Sequence, residues 1–141
     1  MSSKLALLTL LTAAGCATPQ HASAVVRDLI AADNRGDLEA SVGAYTDDVV
    51  WRSAAGEVRG KAAIRERYRE MFGAFDVHLE VAIDGEVARG DEVLVTGITK
   101  GRLQPRAGGE PKVVDDEFTA TLRRDSDRWR IRELAWRPRM R

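Results

Sequence analysis

Apolar positions along the chain change their period as the sequence proceeds, and the changes mark its elements. From about residue 23 to 35, Val26, Leu29, Ile30 and Asp33 recur at helical spacing, and Gly36 ends the run. Asp37 suits the N-cap of a second short helix through Leu38, Val42 and Tyr45. Thr46-Asp47-Asp48 breaks that helix, and Val49-Val50-Trp51 is a β-branched and aromatic strand signal. Gly56 and Gly60 bracket a turn. A third helix over residues 61–72 gathers Ile64, Tyr68, Met71 and Phe72 on one face, with Arg and Glu on the other. Beyond it the period becomes two. Val77, Leu79, Val81 and Ile83 alternate with Asp76, His78, Glu80 and Asp84, so that one face is buried. A second long strand runs over 91–103, with Val93 and Val95 opposite Leu94 and Ile98, before a loop at 105–111 containing Gly108-Gly109. Residues 113–124 put Phe118, Ala120 and Leu122 on one face. In the last strand, 128–137, apolar parity switches from Trp129 and Ile131 to Leu134 and Trp136, which predicts a bulge near Arg132-Glu133. The sum is an α+β fold: three N-terminal helices packed on one face of a strongly curved antiparallel sheet.

The first 15 residues stand outside this pattern. Lys4 precedes 11 uncharged residues, Leu5 to Gly15, too few to span a bilayer as a helix and suited to a secretory signal peptide. The ending Ala13-Ala14-Gly15-Cys16 resembles a bacterial lipobox, although Ala13 stands where leucine is usual. The resemblance implies a signal peptide over 1–15, a lipidated Cys16 with a tether over 16–22, and a folded domain over 23–141. It also implies an exported protein, lipid-anchored at the outer membrane facing the periplasm, or otherwise at the cell surface. Ala17 in place of aspartate implies no inner-membrane retention. An ordinary secretory signal, or a cysteine packed as a small hydrophobe, fits the same residues. Cys16 is the one cysteine, so no internal disulfide forms and the domain depends on its core. With 22 basic and 22 acidic residues, the balance speaks against a nucleic-acid partner.

Asn34-Arg-Gly-Asp37, Ala44-Tyr-Thr-Asp-Asp-Val-Val-Trp51, Gly60-Lys-Ala-Ala-Ile64 and Arg123-Arg-Asp-Ser-Asp-Arg-Trp-Arg-Ile131 follow in order. Together they resemble the SnoaL-like branch of the nuclear transport factor 2-like superfamily over nearly all of 24–138. The resemblance implies helices closing the mouth of a cone, an apolar pocket between them and the concave sheet, and often a homodimer packed through the convex face. Fold does not settle function, because relatives include isomerases, cyclases, dehydratases and non-enzymatic binding domains.

Steroid isomerases of this kind pair a carboxylate base with an oxyanion hole built from a tyrosine and a neutral acid. Their three positions fall on Leu29, Ser53 and, within about one residue, Ala120. None supplies a base near neutral pH, so steroid isomerase chemistry by that route is not expected. Tyr45 and Tyr68 match tyrosines that support the isomerase pocket; they are also ordinary core tyrosines with partnered hydroxyls. Asp47 and Asp48 read as turn residues, since neighbours on an extended segment point opposite ways. Asp116 shares parity with Phe118 and Ala120 and is a possible pocket acid, although a strand end also tolerates a solvated charge. His21 and His78 sit apart, and no zinc, Ser–His or phosphate-loop pattern occurs, so neither metal nor cofactor is expected. The eight arginines from Arg123 to Arg141 read as cross-strand partners of Glu80, Asp84, Glu86, Asp91 and Glu92, with a lipid-headgroup contact as the other reading.

The expected function is therefore binding of a small apolar molecule without catalysis, in a pocket lined by Leu29, Tyr45, Trp51, Tyr68, Phe118, Ala120, Leu134 and Trp136. The alternatives are an isomerase, cyclase or dehydratase using a displaced acid such as Asp116, and a structural interaction module. A carboxylate deep in the pocket within reach of a tyrosine favours an enzyme; a dry pocket favours binding; a filled one favours the structural role.

Overall fold

The computed structural model describes residues 21–140. Cys16 and the signal segment lie outside them. α1 (Ala22–Arg35) buries Val25, Val26, Leu29 and Asp33, and ends where Gly36 adopts the left-handed conformation, φ 63°, which costs glycine no Cβ clash. Asp37 then caps α2 (Leu38–Gly43), its carboxylate accepting from the Ala40 amide at 3.1 Å. β1 (Tyr45–Ser53) and β2 (Gly56–Arg59) form a hairpin, followed by α3 (Lys61–Ala74). Four long strands complete the chain: β3 (Phe75–Arg89), β4 (Glu92–Pro105), β5 (Lys112–Asp125) and β6 (Arg128–Pro138).

The six strands make one open sheet in the order β2-β1-β6-β5-β4-β3. The α+β class with three helices on a curved sheet is as the sequence pattern predicts. One pairing is different in sense: β1 runs parallel to β6, because the α3 and β3–β5 excursion brings the chain back alongside β1 in the same direction. Tyr45 pairs with Ile131 there, and the Ile131 amide donates to the Ala44 carbonyl at 2.8 Å. This pairing draws Tyr45 and Thr46-Asp47-Asp48 into strand, where the local pattern predicted helix and break. The register shifts between Tyr45 and Val50, so buried and exposed residues come in twos (Tyr45-Thr46, Asp47-Asp48, Val49-Val50) and the period of two is hidden. Likewise Gly56 begins a strand and Gly60 follows it, because residues 56–59 pair with 50–53.

Curvature comes from identifiable irregularities. Asp84 is an extra residue of β3 opposite β4, and Arg132 an extra residue of β6 opposite β5. The second lies where the parity switch predicted it. At Gly97 the sheet closes so far that a Cβ would sit 2.3 Å from the Ala82 carbonyl oxygen and 2.9 Å from the Phe118 ring. Phe118 is the cross-strand partner of Gly97, so its ring covers the bare backbone on the concave face.

Helices cover that face. α1 packs on β3, β4 and β6, and α3 on β1, β2 and β3. The Asn34 side chain fastens α1 to β3, its amide donating to the Leu79 carbonyl and its oxygen accepting from the Leu79 N–H, both at 2.8 Å. Leu29, Val42, Tyr45, Ile64, Tyr68, Phe118, Leu122 and Ile131 form the core; Phe72 and Val81, expected to be largely buried, are half-buried at its rim. Among the described residues, arginines of the last strands and just beyond them do pair across the sheet, but mostly with other acids than expected: Arg123 with Asp48, Arg137 with Glu117, Arg139 with Asp115, while Arg132 does pair with Glu92.

Candidate functional site

Between α1, α3 and the concave sheet lies a cavity of about 810 Å³, within the range of about 300–1,000 Å³ usual for small-molecule sites. α1 contributes Val26, Leu29, Ile30 and Asp33; β1 contributes Tyr45, Trp51 and Ser53; α3 contributes Tyr68 and Met71. Phe118, Ile131, Leu134 and Trp136 form the sheet wall, and Lys112, Val113, Asp115, Asp116 and Arg139 line one end. Val113 is 73% exposed, which makes that end the mouth.

Of the residues singled out from sequence, Leu29, Tyr45, Trp51, Ser53, Tyr68, Phe118, Leu134, Trp136 and Asp116 line this cavity. Ala120 does not. It shares a face with Phe118, but its methyl is fully covered within the core, so it backs the wall without reaching the space. His78 is exposed on β3, and Asp47 and Asp48 lie on the solvent side, held by Lys61 at 3.4 Å and by two bonds from Arg123. Among the described residues no group of three or more His, Cys, Asp or Glu is arranged to hold a metal ion.

The polar centre is a residue that pattern reading placed on the helix face and did not single out. Asp33 is 7% exposed and lines the cavity one helical turn beyond Leu29. It accepts a 2.6 Å hydrogen bond from the Ser41 hydroxyl and a long one, 3.5 Å, from the Tyr68 hydroxyl. The Tyr68 and Tyr45 hydroxyls bond each other at 2.9 Å. Among the described residues no cation offsets the burial of Asp33, so loss of hydration outweighs the two hydroxyl bonds and pushes its carboxyl from 3.8 up to about 7. The same burial pushes both phenols well above 10, helped for Tyr45 by the Asp33 charge and for Tyr68 by Tyr45 and Asp33. Both therefore stay neutral as hydrogen-bonding groups. At the mouth, Asp116 is also raised, first by burial and then by neighbouring Asp115. The signal for Asp33 was present in the sequence as a carboxylate on an otherwise apolar helix face, where an acid is seldom found without a reason.

Aromatic rings surround this polar cluster. Trp51 meets Tyr45, Tyr68 and Trp136 edge-to-face, with centroids 5.8, 5.3 and 5.4 Å away.

The fold is that of the nuclear transport factor 2-like proteins. A ketosteroid isomerase-like protein from Erwinia carotovora atroseptica SCRI1043 superposes with a TM-score of 0.75 over 84% of this chain and 94% of its own, at 22% identity. A conserved protein from Planctomyces limnophilus DSM 3776 gives 0.76 over 82% and 91%, at 16% identity. A protein of unknown function from Shewanella oneidensis MR-1, described as NTF-2 like, gives 0.68 over 82% and 94%, at 18% identity. No curated protein matches the sequence. The family model of the SnoaL-like domain matches residues 26–132, and the chain belongs to that family.

Proposed function

We propose that the chain binds a small, mainly apolar molecule in its cone pocket. The carrying observation is the cavity itself: about 810 Å³, walled by Leu29, Trp51, Phe118, Leu134 and Trp136, with one polar cluster converging on it. Binding without turnover is the leading reading because the positions of steroid isomerase chemistry carry none of it; the feature that favours an enzyme instead is the deep Asp33 carboxyl. By the resemblance, Leu29, Ser53 and, within about one residue, Ala120 fall at the isomerase positions, and Tyr45 and Tyr68 are poor proton sources whose hydroxyls bond each other. Titration with hydrophobic probes followed by tryptophan fluorescence tests the reading, since Trp51 and Trp136 are wall residues. If no probe perturbs the emission, and Trp136→Ala alters no probe's affinity, the pocket is not a binding site.

A second reading, proton-transfer catalysis of the isomerase, cyclase or dehydratase type, draws support from one observation. Asp33 is a deep carboxyl within reach of a tyrosine hydroxyl, with a pKa near 7 that lets it take and return a proton at neutral pH. Solvent-deuterium incorporation into a bound ketone, abolished in Asp33→Asn, supports it; exchange unaffected by that change removes Asp33 from the chemistry.

Export with lipid anchoring at Cys16 rests on the N-terminal sequence, as does dimerisation on the resemblance. For the anchor, wild type and Cys16→Ala are compared by detergent-phase partition. Equal partition of both into the aqueous phase rules it out.

A further inference from the structure

Asp33 is a buried carboxyl facing a cavity, and among the described residues its polar partners are hydroxyls. A carboxylate removed from water is costly unless a positive charge joins it, and then the pair gains what solvent no longer supplies. Ser41 from α2, Tyr68 from α3 and Tyr45 from β1 are the groups around it, and none can be a cation. The nearest pocket cations line the mouth, where Lys112 acts on Asp116 and Arg139 stands 3.4 Å from Asp115. The missing positive charge is therefore one the ligand can bring.

The walls favour the same chemistry. Tyr45, Trp51, Tyr68 and Trp136 all line the cavity, and their rings attract a cation through their π-faces, most strongly where it is desolvated. Asp115 and Asp116 at the entrance add negative potential along the way in, tempered by Lys112 and Arg139. A neutral apolar ligand uses the walls but leaves the Asp33 carboxyl unanswered.

We infer that the pocket selects an apolar amine, its protonated nitrogen seated against the Asp33 carboxylate among the rings of Tyr45, Trp51 and Tyr68 and its hydrocarbon body along the Phe118–Trp136 wall. This rests on the small-molecule pocket argued above and names the class of ligand it takes. Binding draws the Asp33 proton off, so affinity for the amine rises with pH through the neutral range until the amine itself loses its charge.

The test compares 4-phenylbutylamine with its neutral counterpart 4-phenylbutan-1-ol by calorimetry on the purified chain at about pH 8, where Asp33 is mostly ionised. The expected result is an amine preference of about tenfold or more. Asp33→Asn removes the preference, so that this variant binds the amine no more tightly than the alcohol. In wild type the preference shrinks toward about pH 5.5, a readout that needs no variant to fold. Equal affinities at the higher pH overturn the inference while leaving the apolar pocket standing. So does a preference that survives Asp33→Asn, which would assign the amine to Asp115 and Asp116 at the mouth. Failure of both probes to bind overturns the inference and the pocket reading together.

Discussion

Replacing Asp33 by Asn asks whether this carboxyl is as buried and as uncompensated as the structure has it. Asparagine keeps the shape, can still accept from Ser41, and cannot ionise. In the wild type, the carboxyl rises from 3.8 to about 7 on folding. Below about pH 4 the acid is protonated in both folded and unfolded chains, and its contribution to stability is fully present. As pH climbs through that interval the unfolded chain ionises while the folded one resists, and the contribution is lost by the time pH passes about 7. About three pH units at about 1.4 kcal/mol each amount to about 4 kcal/mol. Against a total stability of about 5–15 kcal/mol for a domain, that is a large effect. Urea unfolding of both proteins, followed by tryptophan fluorescence from about pH 4 to pH 8, measures it, and the other carboxylates cancel in the comparison. The stability of Asp33→Asn relative to wild type should increase by about 4 kcal/mol over that range. A difference flat to within about 1 kcal/mol would refute the burial argument, and the roles given to Asp33 would go with it.

Tyr68→Phe removes a hydroxyl that bonds both Tyr45 and Asp33, and should cost about 1–3 kcal/mol. Because that bond holds the Asp33 carboxyl down, its loss should also move the Asp33 titration to higher pH, visible by carboxyl-carbon NMR. Phe118→Ala opens the concave wall and uncovers Gly97, with an expected loss of about 3–5 kcal/mol in urea unfolding. Gly97→Ala should cost about 1–3 kcal/mol, since the methyl meets the Ala82 carbonyl and the Phe118 ring. Gly73→Ala, in open space on α3, should instead stabilise by up to about 1 kcal/mol.

Much of the fold could be read from local pattern because its causes are local. The Gly36 stop, the Asp37 cap and the long alternating strands depend on near neighbours, so their residues announce them. Even the β6 bulge at Arg132 shows as a change of parity, because an extra residue turns every later side chain to the other face. Val49-Val50-Trp51 announced the second half of β1, but its first half and β2 escaped local pattern for the opposite reason. Tyr45 is a strand residue because Ile131, far along the chain, offers it a parallel ladder, and short local signals cannot weigh such a partner.

The site divides in the same way. Leu29, Tyr45, Trp51, Tyr68, Phe118, Leu134 and Trp136 could be named from sequence because the resemblance to SnoaL-like proteins implied a pocket and these apolar and aromatic residues were the ones offered to line it. Periodicity put Asp33 on that face too. What it meant depended on its surroundings: Ser41 and Tyr68 to bond it, Tyr45 behind them, no cation among the described residues beside it and an open cavity in front. Those neighbours come from α2, α3 and β1. Ala120 shows the converse, facing inward as its parity required yet covered by the core and excluded from the pocket. Which face a residue occupies follows from its own spacing, whereas its charge state and its access to a ligand are set by groups that only the folded chain brings together.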